Sequence, residues 1–270
     1  MKPAVRAAVE IARRSGIDSD APTLLQETNN SVVWLRPHEV IAKVGSHRDS
    51  ADVLAHEHRV ASALAALEAP VAPPVEGTGV ETHAETGFTV TLWTRFDGAM
   101  DSGSARSVGE SLRELHRALA MTDLELPPLQ VHVERARGAL FRDAAMTALA
   151  AQDLAFLREA FEDLRRQVGE RRFAEQPLHG EPHEGNRLDT GGGVRWIDFE
   201  DACRGPLEWD LVFLPEESVS VFADVDRDLL DLLRTLDAAR RATWAYVQAR
   251  FPEMRAFGEE MLDVVRARWA

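Results

Sequence analysis

The stretch that decides the fold is residues 179–210, HGEPHEGNRLDTGGGVRWIDFEDACRGPLEWD. Its first part is a poor helix former, because Gly180 and Gly185 favour other backbone conformations and Pro182 lacks the amide hydrogen that a helix needs. A loop is therefore predicted at this point. It carries a set of polar side chains that are close in sequence: His179, Glu181, His183, Glu184 and Asn186.

After this loop the chain is predicted to fold back as a hairpin. Residues 189–193, DTGGG, indicate a turn whose glycines accept positive φ, and residues 194–197, VRWI, indicate the strand that follows. The hairpin brings Asn186 near Asp198, with Glu181 just upstream. Carboxylate and amide oxygens suit Mg²⁺, which proteins commonly hold with few side chains plus the phosphates of a substrate.

Three motifs of this stretch, HGE-x4-N, IDFED and GPLEWDL, resemble the aminoglycoside phosphotransferase family, which is similar to protein kinases and choline kinases in its catalytic loop. The resemblance implies that Glu181 is the catalytic carboxylate and that Asn186 and Asp198 bind the metal. It also implies that Asp210 braces the catalytic loop. We expect His179 to support the loop backbone rather than to bind zinc, because zinc proteases carry their paired histidines on a helix.

One departure from the family pattern bears on the chemistry. The family usually has aspartate at the catalytic position, whereas this sequence has Glu181. The extra methylene extends the carboxylate by about 1.5 Å, one C–C bond, and a misplacement of about 1 Å lowers a rate on the order of 10²-fold. Either the loop is set back to compensate, or catalysis is weak, or the protein is a non-catalytic relative.

Lys43 and Glu57 form the second candidate group. Lys43 lies inside the predicted strand 40–44, VIAKV, and Glu57 lies on the apolar face of a helix predicted over residues 50–68, a costly place for a lone charge. That face consists of Val53, Glu57, Val60, Leu64 and Leu67. A strand lysine followed by a helix glutamate positions ATP phosphates in kinase-like folds, and the resemblance puts this pair in that role. The alternative is two unrelated surface residues.

The resemblance also indicates where the rest of the nucleotide binds. Residues 27–31, ETNNS, occupy the place of the phosphate-covering loop of kinase-like folds, and we expect Asn30 and Ser31 to contact phosphate. The junction after the sheet receives the base in such folds, and we place it near Trp93 and Thr94. Trp93 is either a stacking surface for the base or an ordinary core residue.

The composition argues against several classes of protein. The chain has 270 residues and a net charge of −14 with no basic stripe to offset it, which argues against a nucleic-acid partner. It has no apolar run of about 18 residues, so no membrane span is predicted. The single cysteine, Cys203, excludes an internal disulfide and fits a reducing cytoplasm, where we expect the protein to work.

The resemblance and the order of predicted elements together predict an α+β protein with a two-lobed, protein-kinase-like fold. Residues 1–96 are expected to form a small nucleotide-binding lobe with an antiparallel sheet and a helix. Residues 97–270 are expected to form a larger, mostly helical lobe with the catalytic loop, the metal site and the acceptor pocket. The local pattern further predicts a strand over residues 75–82 and one helix over residues 133–150.

These features predict an enzyme that moves the γ-phosphoryl group of ATP, or of GTP, to a hydroxyl of a small molecule with the help of Mg²⁺. In the family, carboxylates of the C-terminal lobe bind substrate amines. This implies a cationic acceptor such as an aminoglycoside, and hence antibiotic resistance, with a solvated acidic surface as the alternative. The acceptor is otherwise an ordinary metabolite, such as an amino alcohol, a sugar or homoserine. The candidate acceptor-binding residues are Glu200, Asp201, Glu216 and Glu217.

Overall fold

The computed structural model describes residues 1–28, 30–47, 50–98, 104–142 and 144–269. Within these ranges the chain forms α-helices and antiparallel strands, which confirms the predicted α+β class. The strands are β1 (Ala21–Glu27), β2 (Asn30–Arg36), β3 (Val40–Gly45), β4 (Glu81–Thr82), β5 (Thr89–Thr94), β6 (Gln176–Leu178), β7 (Arg187–Thr190), β8 (Gly193–Trp196) and β9 (Cys203–Gly205). The helices are α1 (Pro3–Arg14), α2 (Ser50–Ala66), α3 (Ala105–Ala120), α4 (Gln130–Arg142), α5 (Ala151–Glu170), α6 (Leu207–Leu211), α7 (Glu216–Val219), α8 (Arg227–Val247) and α9 (Pro252–Trp269).

Strands β1 to β5 form one antiparallel sheet in the order β1-β2-β3-β5-β4. Successive side chains of a strand point to opposite faces. Ala42 and Val44 of β3 therefore belong to the apolar core on one face, while Ile41 and Lys43 line a cavity on the other. Because β2 and β5 flank β3 on both sides, the backbone around Lys43 is held by hydrogen bonds along both edges.

Helix α1 covers the first face of this sheet. It begins at Pro3, a position where the missing amide hydrogen has no intrahelical partner to lose. Its buried side chains are alanine, valine and isoleucine, which pack against the apolar residues of β2, β3 and β5. The apolar core of this unit thus lies between the sheet and α1. Helix α2 and the cavity lie on the opposite face of the sheet.

The chain divides into two compact units. The first consists of Met1–Glu125, Glu181–Ala202 and Pro215–Val221. The second consists of Leu126–Gly180, Cys203–Leu214 and Phe222–Ala270. The predicted division after Phe96 is a functional boundary between nucleotide binding and catalysis, and it stays a prediction.

The second unit has an apolar core of its own. Side chains of α4, α5, α8 and α9 pack there with Phe161, Trp209 and Tyr246 among the largest. None of the helices in the described part of the chain combines the length and the apolar character that a membrane crossing requires.

Two local predictions were wrong. The strand predicted over residues 75–82 is reduced to the two residues of β4, because Val75 and Thr78 form a hydrogen-bonded turn with Gly77 at a φ of 74°. The helix predicted over residues 133–150 is divided, since α4 ends at Arg142 and a separate 3₁₀ turn spans Ala144–Ala148. An alanine-rich apolar pattern suits both kinds of helix, so periodicity alone does not separate them.

The core of the second unit provides a test of the packing. Phe161 is fully buried, so Phe161→Ala is expected to lower the free energy of unfolding by about 3–5 kcal/mol, because it removes buried apolar area and leaves a cavity. Phe141→Ala is the matched control, since that ring is 38% exposed, and a much smaller loss is expected. Urea denaturation of both variants measures the difference, and equal losses would contradict the described core.

Candidate active site

The side chains of Lys43 and Glu57 meet in the first unit. Lys43 Nζ donates a hydrogen bond to Glu57 Oε2 at 2.9 Å. Glu57 is only 2% exposed, because it lies on the buried stripe of α2, as the periodicity predicted. The stripe itself is slightly rotated from the prediction: Leu54 replaces Val53, and α2 ends before Leu67, which is exposed. This contact excludes the alternative that Lys43 and Glu57 are two unrelated surface residues. The role of the pair in phosphate binding stays a prediction.

Two further carboxylates reach the same ammonium group. Lys43 Nζ lies 3.0 Å from Asp198 Oδ1 and 2.7 Å from Glu200 Oε1. One oxygen each of Glu57, Asp198 and Glu200 lies within 4.8 Å of the others. One positive charge thus faces three carboxyl groups in a mostly buried place, which leaves a local excess of negative charge that would attract a cation.

Burial and the charges within the cluster shift the pKa values of Lys43, Glu57 and Glu200. Burial by itself lowers the pKa of Lys43, but the charges of Glu57, Asp198 and Glu200 outweigh it and raise that pKa, so the ammonium stays protonated. Burial raises the pKa of Glu57, and the attraction of Lys43 only partly offsets this effect. Burial also raises the pKa of Glu200 against the pull of Lys43. Both carboxyl pKa values lie above the ordinary range mainly because the groups are buried, and the charges of the neighbouring carboxylates raise them further.

Asp198 reaches Lys43 from the end of the β7–β8 hairpin. Arg187 pairs with Trp196 and Thr190 with Gly193, so the chain turns where the glycine-rich segment predicted it. The hydrogen bond from Ile197 N to Asn186 O, at 3.0 Å, then holds the two ends of the hairpin together. Asp198 itself has a φ of 66°, an unfavourable backbone conformation for a residue other than glycine, and such strain is concentrated at functional sites.

Asn186 is oriented by the catalytic loop. Its Nδ2 atom donates to the backbone oxygen of Glu181 at 2.9 Å, and the side chain is buried. Because the nitrogen is engaged, the amide oxygen is the atom available to a cation. Asn186 and Asp198 line the same cavity and both offer hard oxygen donors, which is the donor chemistry that Mg²⁺ prefers. The residues present therefore fit a magnesium ion.

In the second unit, Asp210 holds the backbone that precedes Glu181. Its carboxylate accepts hydrogen bonds from the amides of His179, at 2.9 Å, and Gly180, at 2.8 Å. Trp209 Nε1 donates to the carbonyl of Gly180 at 2.8 Å. Gly180 has a φ of 93°, which favours glycine at this position. The two residues before the catalytic position are thus held by three hydrogen bonds from one short helix, α6.

A cavity of about 480 Å³ in the first unit collects several predicted residues. One part of its lining is apolar, with Val32, Ile41, Trp93 and Ile197, and another part is charged or polar. The polar lining includes Asn30, Lys43, Glu57, Asn186, Asp198 and Glu200.

Some of the predicted nucleotide-binding residues line the cavity and others do not. Trp93 lines the cavity although it is nearly buried, and its Nε1 atom donates to Thr91 Oγ1 at 2.8 Å. The described lining does not include Ser31, which is buried between two cavity-facing residues of β2, or Thr94, whose amide donates to Pro73 O. Arg95 and Phe96 line the cavity and were missed, although strand alternation from Trp93 already indicates Arg95.

The predicted acceptor-binding carboxylates are dispersed. Glu200 belongs to the Lys43 cluster, where it also accepts a hydrogen bond from Asn30 Nδ2 at 2.7 Å. Asp201 ends the short 3₁₀ turn after Asp198, and Glu216 and Glu217 are exposed in the first turn of α7. The described lining of the cavity includes none of these last three.

Known proteins provide an independent comparison. The sequence model of a family described as "APH: Phosphotransferase enzyme family" matches residues 21–257 of the chain. A search of curated protein sequences finds no match.

Solved structures with the same fold are numerous. Amicoumacin kinase hAmiN, in complex with AMP-PNP, Ca²⁺ and amicoumacin, superposes with a TM-score of 0.73 at 15% identity, over 94% of this chain and 92% of that one. The GDP complex of wild-type aminoglycoside 2'-phosphotransferase-IIIa superposes with a TM-score of 0.69 at 17% identity, over 98% of this chain and 99% of that one. A choline/ethanolamine kinase family protein from Mesorhizobium loti superposes with a TM-score of 0.63 at 18% identity, over 97% of this chain and 93% of that one. These likenesses confirm the predicted kinase-like fold.

The sequence contains only two lysines, Lys2 and Lys43, and both are ion-paired, so each controls for the other. Lys43→Met is expected to lower the free energy of unfolding by about 3–5 kcal/mol at pH 8, because it leaves buried carboxylates without their cation. Lys2→Met is expected to cost less than about 1 kcal/mol, since Lys2 and Glu27 are both more than half exposed.

The pH dependence has a defined sign. The raised pKa values of Glu57 and Glu200 mean that these groups take up protons as the pH falls. The loss caused by Lys43→Met is therefore expected to be smaller at pH 5 than at pH 8. Urea denaturation of both lysine variants at the two pH values measures this, and a loss independent of pH would contradict the described cluster.

Proposed function

Because this chain belongs to the phosphotransferase enzyme family, and is a phosphotransferase that acts on an alcohol group, we propose that it moves the γ-phosphoryl group of ATP or GTP to a hydroxyl of a small, amine-bearing molecule. The observation that carries this proposal is the ion pair of Lys43 and Glu57, with Asp198 on the same ammonium and Asn186 in the same cavity. A phosphate-binding cation and two metal ligands in one cavity are what transfer from a nucleoside triphosphate requires.

The cavity suits a nucleotide in size and in lining. Ligand sites commonly have volumes of about 300–1,000 Å³, and this one has about 480 Å³. Its apolar part, with Trp93, Val32 and Ile41, would take the base, and Lys43 would bind the phosphates while Glu57 orients it. Asn30 would contact the phosphates from β2. In this proposal residues 1–96 supply the nucleotide contacts and residues 97–270 supply the metal ligands, the catalytic loop and the acceptor contacts.

Asn186 and Asp198 are the residues that would hold the divalent metal, and Mg²⁺ is the ion proposed. When bound, Mg²⁺ offsets negative charge on the phosphates. The chain's own contribution is to keep both ligands in place: the Ile197–Asn186 hydrogen bond closes the hairpin, and the Glu181 carbonyl orients the amide of Asn186. Glu200, beside Asp198, adds a further carboxylate at the same place.

Glu181 would orient the acceptor hydroxyl and accept its proton. The loop backbone at this residue is well defined, because the carbonyl of Glu181 accepts hydrogen bonds from His183 N and Asn186 Nδ2. A glutamate at a position that usually carries aspartate remains compatible with transfer where this loop is set back by the length of one bond. A dead nucleotide-binding relative is the alternative that the turnover assay below tests.

The acceptor is proposed to be cationic. The net charge of −14 and the exposed Glu216 and Glu217 would attract an amine-bearing substrate such as an aminoglycoside. Proteins of the same fold include kinases crystallised with amicoumacin and with kanamycin. In this reading the biological role is antibiotic resistance in the cytoplasm. The second candidate is a kinase of a metabolite such as an amino alcohol, because choline kinases share the fold equally.

A coupled assay of ADP or GDP release with Mg²⁺ tests the reaction. The acceptor panel contains aminoglycosides, amicoumacin-type antibiotics, choline, ethanolamine and homoserine, and Asp198→Asn is the negative control. Release that depends on one acceptor and disappears in Asp198→Asn is expected. Dependence on choline or homoserine alone would favour the second candidate, and nucleotide binding without any acceptor-dependent release would overturn the proposal.

A comparison of two glutamates of the same loop tests whether Glu181 is the catalytic carboxylate. Glu181→Gln is expected to lower kcat by roughly 10²–10⁴-fold, since an amide cannot accept the proton, with nucleotide affinity unchanged. Glu184→Gln is the control, because Glu184 is exposed in the same loop, and full activity is expected. If both variants keep wild-type kcat, Glu181 is not the catalytic carboxylate.

A further inference from the structure

We propose that Arg240 and Asp237 of α8 are positioning residues that hold the catalytic loop through Trp209. This inference rests on the proposed function, because it concerns the loop that presents Glu181. Neither residue was a candidate from the sequence, and both lie in the second unit, within helices rather than loops.

Arg240 and Asp237 form a buried ion pair one turn apart. Arg240 Nε and Nη2 both donate to Asp237 Oδ1, at 3.0 and 2.9 Å. Each residue is only 4% exposed. Removing two charges from water is energetically costly, and apolar side chains would fill the same space at a lower cost. A buried ion pair at this position therefore indicates a demand for defined geometry.

The guanidinium group lies against two aromatic rings of one segment. Arg240 Cζ is 5.5 Å from the ring centre of Trp209 and 6.0 Å from that of Phe213. The two rings meet edge to face, with centres 6.2 Å apart. A cation within about 6 Å of the centre of an aromatic ring is attracted to the face of that ring. The attraction is strongest for tryptophan and for groups that are shielded from water. Since Asp237 fixes the guanidinium, the indole of Trp209 is held in one orientation.

That orientation decides where the loop backbone lies. The indole Nε1 atom donates to the carbonyl of Gly180 at 2.8 Å, while the neighbouring Asp210 accepts from the amides of Gly180 and His179. Gly180 is joined to Glu181 by a peptide bond, so a displacement of its carbonyl moves the backbone of the catalytic residue. Helix α6 has only five residues and needs an external contact to keep this geometry.

The test removes both charges of this pair together, so that neither member is left without the other. Asp237→Ala/Arg240→Met is compared with Asp231→Ala/Arg234→Met, which removes another aspartate–arginine pair of the same helix and spacing whose aspartate is 67% exposed. The first double variant is expected to lower kcat about tenfold, with nucleotide affinity unchanged, because a displacement smaller than 1 Å costs less than the roughly 10²-fold loss of a full 1 Å misplacement. The second is expected to keep wild-type kcat.

Hydrogen exchange gives a readout that does not need activity. Exchange of the amides of His179 and Gly180 is expected to be about tenfold faster in Asp237→Ala/Arg240→Met than in the control double variant, because their hydrogen bonds to Asp210 open more often. If that variant does not fold, Arg240→Lys replaces it, since lysine keeps the charge but lacks the planar group; a smaller change of the same sign is then expected.

A double-mutant cycle with Trp209→Phe separates positioning from general stability. If Arg240 acts through the indole, changing Arg240 in the Trp209→Phe background lowers kcat no further. Additive losses in kcat, or unchanged exchange at His179 and Gly180, would overturn the inference. An absence of acceptor-dependent turnover in the wild-type protein would instead count against the proposed function, while the exchange experiment still decides the coupling.

Discussion

The ammonium group of Lys43 is the constraint on which the first unit depends. It is held between Glu57 of α2, Asp198 of the hairpin end and Glu200 of the turn that follows, all within 3.0 Å. Helix α2 and the distant segment that carries Asp198 and Glu200 thus share one buried charge. The cluster carries an excess of negative charge, because three carboxylates face one cation. In the proposed function, a divalent metal would offset this excess of negative charge from outside the chain.

The predicted catalytic loop is held by hydrogen bonds to its backbone. Asp210 and Trp209 bind both residues that precede Glu181, and Asn186 binds the carbonyl of Glu181 itself. Such a loop holds its position with little freedom, which matters when the catalytic side chain is longer than the usual one. Solved kinases share this fold although their sequences are only 15–18% identical to this chain.

Patterns with short periods could be predicted well. Helical spacing identified the burial of Glu57, and the glycine-rich turn identified the hairpin that brings Asn186 to Asp198. Contacts between distant parts of the chain could not be predicted. The contacts of Glu200 with Lys43 and Asn30 were missed, because residues as many as 170 positions apart leave no trace in local spacing. The assignment of Glu200 to the acceptor stays a prediction. The assignment of Trp93 as either a stacking or a core residue proved too narrow, since the ring is nearly buried and also lines the cavity.

By itself, the sequence determined the α+β class, the loop that cannot be a helix, and the residue types that carry the chemistry, because glycine, proline and periodicity act locally. Tertiary structure alone decided which charges share a partner. It put Glu200 on Lys43 and the buried pair of Asp237 and Arg240 beneath Trp209. The reason is physical: the energy of a buried charge depends on every group packed around it, and those neighbours come from distant parts of the chain.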